Sequence, residues 1–85
     1  MKELVCKIQP FDLTQTVYIY KDGGVKSIKI PTNEFCEQII NLARAEQINR
    51  VFFKGHKRYS KGIKDQIKKY EKTHYCSDKI DIEII

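Results

Sequence analysis

Residues 16–31 read TVYIYKDGGVKSIKIP, and this stretch decides the fold. Residues 16–20 are β-branched or aromatic, the composition of a strand. Lys21-Asp22-Gly23-Gly24 then supplies residues that accept positive φ, so the chain doubles back as a hairpin into residues 25–30. In the second arm Ile28 and Ile30 alternate inward, Ser27 and Lys29 face water, and Pro31 ends the run. An antiparallel pair is therefore fixed early in the chain.

Working outward, residues 4–8 alternate as well, with Leu4, Cys6 and Ile8 on one side and Val5 and Lys7 on the other. Gln9-Pro10 ends that strand, so the first third is a three-stranded meander. Past Pro31, Thr32 or Asn33 is positioned to cap a helix whose first turn holds Glu34 and Glu37, where the unpaired N–H groups favour negative charge. Phe35, Ile39, Ile40, Leu42 and Ala43 recur at helical spacing and form its buried face. Val51-Phe52-Phe53 is too short for a helix and aromatic enough for a buried strand. Ser60 or a neighbour opens a second helix, with Ile63, Ile67, Tyr70 and His74 in one stripe and Lys61, Lys64, Lys68 and Lys72 in another. Residues 79–85 alternate and form a last strand.

The expected order is β-β-β-α-β-α-β: one α/β (α+β) domain over residues 1–85, with a mixed five-stranded sheet and two helices joined by right-handed crossovers. At 85 residues one modest core is the ceiling. This order of elements is similar to that of the ribonuclease H-like fold, in a minimal version, and to that of the actin-like ATPases. The resemblance concerns topology, and function does not travel with topology alone.

The formal charge is +5, and its distribution is uneven. Residues 51–79 carry nine basic side chains against Asp65, Glu71 and Asp78, a regional charge of +6, while the remainder sums to −1. No apolar run reaches the roughly 18 to 20 residues of a membrane span, and the first residues, MKELVCKIQP, lack a signal-peptide core. The three cysteines, Cys6, Cys36 and Cys76, form no C-x-x-C pair and read as reduced thiols, which places the chain in the cytoplasm.

A ribonuclease H-like nuclease would need carboxylates converging on metal ions, beginning within the first strand. Residues 4–8 contain none, Asp12 lies past their end, and Asp81 and Glu83 alternate onto the exposed side of the last strand. An ATPase would use glycine-rich turns at phosphates, yet Gly23-Gly24 is explained by the hairpin. The stretch 55–62, GHKRYSKG, reads as a basic loop after a strand that opens a helix, a place suited to an anion, although it fits neither common phosphate-binding glycine pattern. His74, Cys76 and Asp78, even with His56, lack the paired spacing of a zinc site, and no third residue orients a Cys-His pair. The expectation is a non-enzymatic protein without metal or cofactor.

Lysines with interleaved Tyr59, Tyr70 and Tyr75 have the composition of a nucleic-acid surface, cations meeting phosphate and rings meeting bases. The expected contacts are Lys54, Lys57, Arg58, Tyr59, Lys61, Lys64, Lys68 and Lys72. A secondary surface is expected from Tyr18 and Tyr20 on one strand face near Lys21, Lys26 and Lys29, as on a sheet-based RNA platform. The alternative is a protein-interaction module that offers the basic helix to an acidic partner, or a sheet edge to a second copy as a homodimer.

Overall fold

The computed structural model describes residues 2–74 and 79–85. It contains strands β1 (Glu3–Ile8), β2 (Thr14–Lys21) and β3 (Gly24–Pro31), helix α1 (Phe35–Glu46), strand β4 (Arg50–Gly55), helix α2 (Lys57–Thr73) and strand β5 (Asp81–Ile84). The β2–β3 turn forms as the sequence dictates, with Asp22 and Gly23 both at positive φ, the geometry that matches the twist of a two-residue hairpin. The strands lie in the order β3-β2-β1-β4-β5. β2 is antiparallel to β1 and β3, whereas β4 is parallel to both β1 and β5. This is the mixed five-stranded sheet with two helices that the sequence implies.

The strand order decides where the helices go. The β3–α1–β4 and β4–α2–β5 crossovers both move across the sheet in the same direction, and right-handed connections then put both helices on the same face. The core accordingly takes one alternation from every strand. Leu4, Cys6 and Ile8, Val17 and Ile19, Ile30, Val51 and Phe53, and Ile82 join Phe35, Ile39, Ile40, Ala43, Ile63 and Ile67 in one buried cluster. Phe35 of α1 meets Phe53 of β4 edge-to-face, ring centroids 6.0 Å apart. No described helix lies over the other face.

Two local details depart from the sequence expectation. Neither Thr32 nor Asn33 caps α1: Thr32–Glu34 forms a 3-10 turn, and the Thr32 hydroxyl instead donates to the Asp12 carbonyl and accepts from Gln15 Nε2. Gln15 is fully buried and exchanges two hydrogen bonds with the Gln9 backbone, at 2.7 and 2.8 Å. The β1–β2 loop is thus tied to the start of α1 by side chains whose role no periodicity announces. None of the described helices is long and apolar enough to cross a membrane.

Candidate nucleic-acid interface

α2 begins at Lys57, not at Ser60, so the expected basic loop is the first turn of a helix. His56 is the cap: its Nδ1 accepts the Tyr59 N–H at 3.1 Å, and the Ser60 hydroxyl donates back to the His56 carbonyl at 2.7 Å. Gly55 makes this start geometrically accessible, because its φ of 122° and its approach to the Ile8 carbonyl leave no room for a side chain.

With that start, Lys57, Lys61, Lys64, Lys68 and Lys72 fall at i, i+4, i+7, i+11 and i+15 on a single helix. At 1.5 Å per residue the row is about 22 Å long. Gln66 accepts a hydrogen bond from the Cys36 thiol of α1, whereas Lys68 donates to the Ile80 carbonyl just before β5. The lysine row therefore lies on the side of α2 turned from α1, above the β5 edge.

Lys68 is already engaged there. Its ammonium lies 3.3 Å from Glu71, whose buried carboxylate also accepts the Ile80 N–H at 2.7 Å. Lys68 is half-buried like Lys64, so what sets it apart is this engagement; the other cations of the row are Lys57, Lys61, Lys64 and Lys72, with Asp65 beside them and Arg58 about a quarter-turn round the helix. Tyr59 does not belong to the row: it packs half-buried against the core, as does Tyr70. His74 is exposed and stacks on Tyr70, centroids 3.9 Å apart, rather than extending the buried stripe. Tyr75, Cys76 and Asp78 lie outside the described residues.

Lys54 sits on the other side of the sheet. Phe53 points to the helices, so Lys54 and Phe52 point to the uncovered face, where Lys54 is in register with Lys7 and Phe52 with Val5. Tyr18 also pairs with Val5, and Tyr20 and Lys29 lie on this same face. Lys21 does not. It shares its parity with Val17 and Ile19, and its ammonium bonds Glu46 of α1 at 2.9 Å, which raises the lysine pKa and lowers that of the carboxylate. The expected group of Tyr18, Tyr20, Lys21 and Lys29 is thus divided between the two faces.

Across the open face, three rows emerge from the registers. Lys29, Thr16, Lys7 and Lys54 form one, Ser27, Tyr18, Val5, Phe52 and Glu83 the next. Tyr20, Glu3, Arg50 and Asp81 belong to the third, with the Arg50 guanidinium 5.4 Å from the Phe52 ring centre.

Among the described residues no three His, Cys, Asp or Glu side chains converge as metal ligands. Burial pushes the Cys6 thiol far up, and Cys36 is raised by its partial burial.

No family model, curated protein or solved structure matches this chain. Its functional reading therefore rests on the arrangement of its own side chains. Sequence reasoning passed over Lys7, Val5 and Phe52, which acquire a common surface only through the β2-β1-β4 pairing. A signal for Phe52 existed in its parity, opposite to Phe53.

Proposed function

We propose that this protein binds nucleic acid through the phosphate backbone, without reading base sequence, as a small non-enzymatic accessory factor. The observation that carries the proposal is the start of α2 at Lys57, which brings Lys57 onto the same side of one helix as Lys61, Lys64 and Lys72. Each lysine that neutralises a phosphate releases counterions, so the row supplies affinity that falls with salt. The setting that suits the chain is the cytoplasm, since Cys6 is a buried thiol without a disulfide.

The alternative of strand addition to a second copy has less support in the edges. β3 carries two exposed lysines, Lys26 toward the helix side and Lys29 on the open face, and β5 has only four residues, two features that discourage pairing. The same basic row could meet an acidic protein, and polyglutamate serves as that competitor. The test is anisotropy of labelled single-stranded and duplex DNA and RNA at two salt concentrations, for the native protein and for a Lys57→Glu, Lys61→Glu, Lys64→Glu variant. The variant should bind every sequence more weakly, with a salt slope shallower by roughly 2 to 3, as expected for three lost phosphate contacts. Unchanged affinity removes α2 as the contact, and equal displacement by polyglutamate favours the acidic protein.

A further inference from the structure

The α2 row leaves the open sheet face unused. Tyr18 and Phe52 flank Val5 at the centre of the sheet, on strands β2, β4 and β1, all three half-buried and none part of the helix-side core. Immediately beside them, toward the C-terminal ends of β1 and β4, runs the row that holds Lys29, Lys7 and Lys54, with Thr16 between and no acid among them. At about 4.8 Å per strand, Lys29 and Lys54 stand roughly 14 Å apart. The acids of this face, Glu3, Asp81 and Glu83, occupy its other end and the β5 margin.

We propose that this face takes a single strand of nucleic acid, with bases stacked on Tyr18 and Phe52 and phosphates on the Lys7, Lys29 and Lys54 ammoniums. The inference rests on the nucleic-acid reading above and deepens it by naming single strands as the substrate class. The physical reason is the pairing of rings with cations. Aromatic rings on a sheet face that no described helix covers accept any base because every base has a π face, and the adjacent lysines meet the backbone that must run alongside. Paired bases in a duplex are stacked on each other and cannot lie on the rings. The Arg50 guanidinium over Phe52 is the group with which a stacking base shares that ring, and it adds a cation beside the strand's phosphates. The segregation of charge also favours a polyanion entering along the lysine row over an uncharged occupant.

The experiment compares three labelled probes of equal length: a thymidine oligonucleotide, an abasic strand with the same phosphates, and a duplex. The native protein should bind the oligonucleotide at least about fivefold more tightly than the abasic strand, the lower end of what one stacked base contributes. A Tyr18→Leu, Phe52→Leu variant, which keeps the strands apolar, should lose that preference while retaining its salt slope. Lys57→Glu, Lys61→Glu, Lys64→Glu should weaken oligonucleotide and abasic strand by the same factor.

The outcomes separate the two readings. If the protein binds nucleic acid but holds abasic and normal strands equally, or holds duplex as tightly as single strand, this inference falls and the backbone reading stands. If it binds none of the probes at low salt, both fall. The abasic comparison uses the native protein, so it decides the matter even where the leucine variant fails to fold. A dimer in sedimentation that Phe52→Lys dissolves would assign the face to a second copy and overturn the inference.

Discussion

At the scale of single residues, the two glycines of the GHKRYSKG stretch carry opposite demands. Gly55 lies at φ 122°, and a Cβ there would come within 2.3 Å of the Ile8 carbonyl oxygen, a contact that backbone on both sides prevents from relaxing. Gly62 lies within α2 with open space around its Cα hydrogens. Gly55→Ala should therefore destabilise the protein by roughly 2 to 4 kcal/mol, through strain and clash together. Gly62→Ala should stabilise it by about 0.5 to 1 kcal/mol, because alanine loses less backbone freedom in a helix. Urea midpoints of the two variants check both signs at once; a neutral Gly55→Ala would mean that β4 can release β1 without cost. The same scale explains what became of Lys21. Its parity with Val17 and Ile19 already placed it on the helix side, but a lysine beside two tyrosines draws the eye to composition instead of to alternation.

At the scale of elements, legibility followed the strength of local chemistry. The hairpin was readable because Asp22-Gly23 accepts positive φ where few residues do, and the strands because their inward positions are apolar except at Gln15 and near the hairpin end, where Lys21 and Lys26 stand. The start of α2 was not readable, because the residue that caps it is His56, while the familiar capping type, Ser60, sits inside the first turn with its hydroxyl turned back to His56. That displacement of three residues converts a loop into a helix and aligns Lys57 with the lysines that follow. The helix layer was equally hidden, since the common face of α1 and α2 depends on strand order, which no local pattern specifies. The cap can be tested directly. His56→Ala should cost about 1 kcal/mol and loosen the first turn of α2, whereas His56→Ser, which can still accept the Tyr59 N–H, should recover most of it. Amide exchange of residues 57–60 would report the loosening; identical protection in both variants would mean that packing of Ile63 alone fixes where the helix begins.

At the scale of the whole molecule, the question is whether a charge of +5 acts as a diffuse field or as placed contacts. The dimensions favour placed contacts. The principal extents are 31 × 30 × 21 Å, so opposite sides are separated by more than the roughly 10 Å over which exposed charges feel each other at 0.1 M salt. The α2 row and the Lys7–Lys54 row lie on opposite sides of one sheet and should act separately. A charge-matched control makes this quantitative. Replacing Lys57, Lys61 and Lys64 by glutamate takes the chain from +5 to −1, since each exchange removes two charges, and replacing Lys2, Lys26 and Lys79 does the same with residues that belong to neither row, Lys79 alone lying near the α2 row, beside Ile80. If local contacts hold the polymer, the first variant should lose most of its affinity at 0.1 M salt and the control little. Near 0.01 M salt, where the screening length grows to about 30 Å, the two should converge, because net repulsion then reaches across the molecule. Equal losses at both salt concentrations would reduce the α2 row to a share of the overall charge, whereas a difference that opens as salt rises would make the row the place where the phosphate backbone lies.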